Sequence, residues 1–151
     1  MIEVYEYFAA TDDIAAAAAI RCEAASLGLP SIGMVVGIDP VLQLARLESL
    51  LRGVDFEVVV GGPRWCVPIA SLERSRGPSV VTVTDCLRNS LAAVDDPTFR
   101  RTAELWARAR RSGTTNVDCR VPALAGFLCD LVRLAREAAA SDRHLYCWMS
   151  R

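Results

Sequence analysis

The segment after Pro122 repeats apolar residues at steps of three and four. This spacing places them along one face of an α-helix. A stripe of this length has to be covered by other elements, so it predicts a helix that crosses the core of the protein. The stripe consists of Leu124, Phe127, Leu128, Leu131, Leu134, Ala135 and Ala138.

The two ends of the chain have the patterns of β-strands instead. Residues 144–150, HLYCWMS, alternate at a period of two, which is typical of a strand with two different faces. Residues 2–8 are rich in β-branched and aromatic side chains, which favours a strand at the start of the chain. We expect these first and last strands to be adjacent.

Helix start and stop signals divide the middle of the chain. They predict helices over about 12–27, from Asp39-Pro40 to Gly53, over about 85–94 and over about 98–112. Residues 54–79 have no clear pattern. We therefore predict one α+β domain over residues 1–151, in which a small mixed or antiparallel sheet is packed by about five helices.

Composition argues against a membrane protein. The longest purely apolar run, Ile14 to Ile20, is far shorter than the roughly 20 residues that a spanning helix needs. The opening sequence MIEVYEYF has acidic residues where a signal peptide has a basic region. We expect a cytoplasmic protein whose cysteines stay reduced.

The basic residues are all arginine, 17 in number, which is typical of a high-GC bacterial genome such as that of an actinomycete. Their distribution is uneven, because residues 1–96 carry 7 Arg against 13 acidic residues and residues 97–151 carry 10 Arg against 5. This polarity could orient a partner, or the two halves could attract each other within one fold.

The six cysteines have no metal-binding spacing. No two are separated by the two to four residues typical of zinc sites, and the chain has a single histidine. The sequence also lacks a phosphate loop and GxGxxG. We therefore predict no metal site and no cofactor, and we expect Cys22 and Cys129 to pack in the core on helical apolar stripes.

The first candidate site lies on the last strand. His144, Tyr146 and Trp148 are spaced to share one face of it, as residues that line a pocket would be. Histidine is the side chain suited to acid or base chemistry near neutral pH. If the protein is an enzyme, these are the residues that we predict to be catalytic. The alternative is that the histidine is simply exposed and that the two aromatic side chains fill the core.

The junction between a strand and a helix at Asp85-Cys86 offers a second candidate. A thiol near a helix amino terminus can become nucleophilic, but it needs a base, and His144 is the sole histidine. The simpler interpretation is that Asp85 caps the helix. Asp12-Asp13 and Asp95-Asp96 also lie at predicted helix starts, and we assign them to capping rather than to acid–base catalysis.

A third candidate is the arginine-rich helix around Trp106. Arg100, Arg108 and Arg111 could bind a protein partner, and helical geometry spreads the arginines over a wide solvent-facing arc. Nucleic-acid binding is disfavoured because the chain is slightly acidic and Trp106 belongs to the buried stripe.

The order of several features resembles the YfbM-like family of uncharacterised bacterial proteins. These features are the segment DPVLQLARLESLLRG, a Gly-Gly-Pro turn, Trp106, the long helix and the closing LYCWMS strand. The resemblance covers roughly residues 35–150 and implies an α+β domain with no catalytic residue to carry over.

These patterns favour a non-catalytic protein-binding module, such as an immunity protein, an antitoxin or a regulatory partner. The alternative is a compact metabolic enzyme with a pocket lined by His144, Tyr146 and Trp148. The expected partner is another protein or a small molecule, without nucleic acid or membrane, and the oligomeric state is left open.

Overall fold

A computed structural model describes residues 3–72, 77–111 and 121–150. Five antiparallel strands form one sheet in the order β2-β1-β5-β4-β3. The strands are β1 (Val4–Ala10), β2 (Ser31–Val36), β3 (Pro68–Ser71), β4 (Ser79–Thr82) and β5 (His144–Ser150). The first and last strands are adjacent along their whole length, as predicted, with Tyr7 opposite Cys147.

Six α-helices complete the described fold, which confirms the α+β class. They are α1 (Asp13–Ala17), α2 (Gln43–Arg52), α3 (Phe56–Val60), α4 (Asp85–Ala92), α5 (Asp96–Arg111) and α6 (Val121–Ala140). Two short 3-10 helices, Ala18–Ile20 and Ala24–Leu27, follow α1. Among the described residues, no helix is long and apolar enough to cross a membrane.

The main core lies on one face of the sheet. Helices α4 and α6 pack against that face, and α2 and α5 pack against α4 and α6 in turn. All seven residues of the predicted α6 stripe are buried, as is Trp106 of α5, whose indole N–H donates to the Gln43 carbonyl. The sheet contributes Tyr7, Leu145 and Cys147 to this core.

A thinner layer covers the other face of the sheet. It consists of α1 and the two 3-10 helices, and it encloses a smaller apolar cluster that includes Phe8, Val80 and Tyr146. The prediction of one continuous helix over 12–27 is wrong, because residues 21–23 are not helical and separate the two 3-10 helices. The helix is interrupted here because the Ala24 N–H donates to the Glu6 carboxylate and so does not continue the helical hydrogen-bond pattern.

The prediction that Cys22 and Cys129 pack in the core is also wrong. Cys22 lies at the break between the 3-10 helices and is exposed. Cys129 follows Leu128 on α6, and one helical step of about 100° turns it away from the core toward solvent.

Capping side chains set the start of α4, which positions the candidate site. The Thr84 hydroxyl accepts a hydrogen bond from the Leu87 N–H at 3.1 Å, so Thr84 is the cap. The prediction that Asp85 caps this helix is therefore wrong, and the carboxylate of Asp85 is available for other contacts.

Candidate functional site

Six polar side chains meet where β5 begins, and we call them the His144 cluster. They come from widely separated parts of the chain: β5, the first turn of α1, the loop after α3, and α4. The members are Asp13, Arg64, Asp85, Arg88, His144 and Tyr146.

The pair at the centre of the cluster is His144 and Asp85. Nδ1 of His144 lies 2.7 Å from Oδ1 of Asp85. A carboxylate acceptor at this distance favours the imidazole form that donates through Nδ1–H, with Nε2 on the opposite side of the ring. About a third of each side chain is exposed to solvent, 32% for His144 and 35% for Asp85.

Two arginines lie next to the same carboxylate oxygen. Nε of Arg64 is 3.9 Å and Nη1 of Arg88 is 3.7 Å from Oδ1 of Asp85. Arg88 is fixed by a second contact, because its Nη1 donates to the carbonyl of Arg143 at 2.7 Å. The Nε of Arg64 is buried and has no hydrogen-bond partner. Asp85 therefore contacts the histidine within a cluster in which two arginines balance two carboxylates.

Asp13 links Arg64 to Tyr146 on the other side of the cluster. Its Oδ1 accepts from the Tyr146 hydroxyl at 2.7 Å and from Nη2 of Arg64 at 3.1 Å. The hydrogen bond from Tyr146, with help from Arg64, lowers the pKa of Asp13. Burial, with the hydrogen bond to Asp13, raises the pKa of Tyr146 well above its usual value. The cluster thus holds Asp13 as an anion and Tyr146 as a neutral donor.

The loop that carries Arg64 has an unusual backbone. Arg64 and Cys66 have φ values of 63° and 46°, a left-handed conformation that is costly for residues other than glycine. The Thr82 hydroxyl holds this loop by donating to the Arg64 carbonyl and accepting from the Val67 N–H. Strain of this kind persists only where neighbouring contacts fix it.

The three residues predicted on β5 have different surroundings. His144, Tyr146 and Trp148 share one face of the strand, as the period of two predicted. Tyr146 is fully buried against Phe8 and takes part in the cluster only through its hydroxyl. Trp148 lines a separate groove with Glu6 and Met34. The structure thus places His144 and Tyr146 in one polar cluster and Trp148 outside it.

The predicted partner-binding arginines lie on α5. Arg100 and Arg108 are exposed, and the side chain of Arg111 lies outside the described residues. The prediction that all the arginines of this helix face solvent is wrong, because Arg110 is 3% exposed and lies over the Trp106 ring at 5.8 Å. The protein-binding role inferred from Arg100, Arg108 and Arg111 stays a prediction.

Sequence reasoning did not find Arg64, Arg88 or Asp13 as site residues. Asp13 was assigned to the helix start, and Asp12 is the residue that caps α1, through a 2.7 Å bond from the Ala15 N–H. The one sequence feature that could have drawn attention to Arg64 is the Gly-Gly-Pro turn directly before it. Within residues 3–72, 77–111 and 121–150, His, Cys, Asp and Glu side chains form no group of three that could hold a metal ion.

Comparisons of the chain with protein-family models, with curated proteins and with solved structures found no match. The resemblance to the YfbM-like family therefore stays a prediction. The functional argument depends on the geometry of the His144 cluster.

Proposed function

We propose that the chain is a small enzyme in which His144 transfers a proton to or from a substrate that carries or develops negative charge. The observation that carries this proposal is the 2.7 Å contact between His144 Nδ1 and Asp85 Oδ1, with two arginines beside the same oxygen. A carboxylate on Nδ1 fixes the ring and leaves Nε2 to accept or donate a proton.

The arginines supply the second part of the chemistry. Within the cluster, the charges of Arg64 and Arg88 balance those of Asp13 and Asp85, so a protonated His144 would make the site positive. Negative charge on a substrate is stabilised by guanidinium N–H groups that are already held in place. The guanidinium groups of Arg64 and Arg88 are held in this way by Asp13 and by the carbonyl of Arg143.

Tyr146 and Asp13 are positioning residues in this proposal. The Tyr146 hydroxyl orients Asp13, and Asp13 holds one end of the Arg64 guanidinium. The strained backbone at Arg64 supports the proposal, because such strain is concentrated at functional sites.

Nuclear magnetic resonance of the imidazole tests the arrangement directly, since the chain has one histidine and its ring signals need no further assignment. We expect the neutral ring to be protonated on Nδ1 and to respond saturably to inorganic phosphate or acetate. The Arg64→Gln variant should bind the responding anion about tenfold more weakly, as expected for the loss of one charge-assisted hydrogen bond. Arg100→Gln, a change on the exposed face of α5, should bind like the wild type and serves as the matched control.

Activity assays on chromogenic phosphate and carboxylate esters complete the test. His144→Gln should lower turnover by roughly 100-fold or more, as for other general acid–base groups, while circular dichroism shows an intact fold. Unchanged turnover in His144→Gln, or a neutral ring protonated on Nε2, would contradict the proposal.

A further inference from the structure

A groove of about 250 Å³ lies beside Trp148, on the sheet face that α1 and the 3-10 helices cover. Its floor is a row across three strands, because Glu6 on β1 is paired with Met34 on β2 and with Trp148 on β5. Its wall is formed by residues 20–23, at the interruption between the two 3-10 helices. The lining residues are Glu6, Ile20, Arg21, Cys22, Glu23, Met34 and Trp148. We call this the Trp148 groove.

Glu6 gives the groove a buried negative charge. Glu6 is 3% exposed. Its two carboxylate oxygens accept hydrogen bonds from the Ala24 N–H at 3.1 Å and from the Ser31 hydroxyl at 3.0 Å. Both donors are neutral, and none of the described arginines forms an ion pair with Glu6. Buried carboxylates in proteins are normally paired with a cation, so this carboxylate favours a positively charged ligand.

Trp148 and the remaining lining residues fit the same kind of ligand. An indole face attracts a cation placed over it, most strongly where water is excluded. Ile20 and Met34 supply apolar contacts for alkyl groups. Glu23 adds a second carboxylate and Arg21 one opposing charge, so Glu6 and Glu23 against Arg21 leave the lining at a net −1.

We propose that the Trp148 groove binds a small organic cation of the alkylammonium class, with the charged nitrogen between the Trp148 ring and the Glu6 carboxylate. The groove is distinct from the His144 cluster, because Tyr146 lies between the two on β5 and is fully buried. The proposal therefore stands or falls independently of proton transfer at His144.

Calorimetric titration with choline tests the inference, and 3,3-dimethylbutan-1-ol, which replaces the quaternary nitrogen by carbon, is the neutral control. We expect choline to bind and the alcohol to bind at least about tenfold more weakly, since only the cation gains from the ring and the carboxylate. Equal affinity for the two molecules, or no binding of choline, would overturn the proposal.

Variants locate the binding. Trp148→Leu and Glu6→Gln should each weaken choline binding by about fivefold to tenfold, in line with the size of a cation–π contact. Glu23→Gln, at an exposed position, should weaken it by roughly twofold and carries the charge test if Glu6→Gln does not fold. Glu57→Gln, an exposed change on α3, is the matched control and should have no effect. Choline binding that neither Trp148→Leu nor the groove carboxylate variants change would place the cation elsewhere and overturn the proposal.

Discussion

Arg64 and Tyr146 donate hydrogen bonds to the same carboxylate oxygen, Oδ1 of Asp13, and the Arg64 guanidinium lies 5.6 Å from the centre of the Tyr146 ring. The two residues are 82 positions apart in the sequence. This relationship ties the strained loop after α3 to the last strand. Because Arg64 also approaches Asp85, it connects the two acidic residues of the His144 cluster.

The hydrogen bond between Tyr146 and Asp13 should contribute measurably to stability. Tyr146→Phe keeps the buried ring and removes only the hydroxyl, so we expect a loss of about 1 kcal/mol in the free energy of unfolding. Urea denaturation of Tyr146→Phe, Asp13→Ala and the double variant measures the coupling between the two side chains. A coupling energy near zero would show that the contact does not stabilise the fold.

Thr82 should determine whether Arg64 stays in the cluster. Thr82→Val has a similar shape but leaves the Arg64 carbonyl and the Val67 N–H without their partner, so we expect a loss of about 2 kcal/mol. Thr82→Ser retains the hydroxyl and is the matched control, with a smaller loss. We also expect Thr82→Val to weaken the response of the His144 ring to anions. A variant as stable as Thr82→Ser would contradict this account of the loop.

Periodicity predicted the parts of the fold that local sequence specifies. The α6 stripe is buried as expected, and the alternation in HLYCWMS placed His144 and Tyr146 on the same face of β5. Both patterns repeat over many residues, so a single irregular position does not obscure them. Strand β3 was missed because it has four residues, begins with Pro68 and has an irregular register with β4.

The partners of His144 could not be predicted in the same way. Asp85 lies 59 residues before His144, and Arg64 reaches the cluster from a loop whose left-handed backbone no sequence period encodes. Asp13 had a sufficient local explanation as a helix-start carboxylate, which concealed its contact with Tyr146. The site depends on long-range contacts, whereas the sequence patterns report local ones.

Alkaline pH should destabilise the protein, because burial keeps one phenol and two thiols protonated in the folded state. Burial raises the pKa of Cys66 to about 12 and also raises the pKa of Tyr7 and Cys147. In the unfolded chain these groups lose their protons near pH 9 to 10, so the folded state then binds more protons. The stability they contribute is complete below pH 9 and falls as the pH rises further.

Urea midpoints measured from pH 7 to 10.5 test this expectation. We expect a constant midpoint below about pH 8.5 and a steady fall above pH 9. Tyr7→Phe removes one of the buried groups together with its hydrogen bond to the Ile38 carbonyl. It should be less stable at pH 7 and lose less further stability above pH 10. A midpoint that rises with pH above 9 would contradict the assignment.

Thiol reactivity should separate the described cysteines into three groups. Cys22, Cys86 and Cys129 are exposed, Cys66 is partly buried with its pKa raised to about 12, and Cys147 lies in the main core. The thiolate is the reactive form, so exposure and pKa together set the rate. Peptide mapping after brief iodoacetamide treatment at pH 8 should find the first three cysteines modified. Cys66 should be modified to a much smaller extent, and Cys147 only after urea is added.

Because Cys147 is opposite Tyr7 at the centre of the β1–β5 pair, its modification in the native protein would require that pair to open. Early modification of Cys147 would therefore contradict the strand pairing that positions His144.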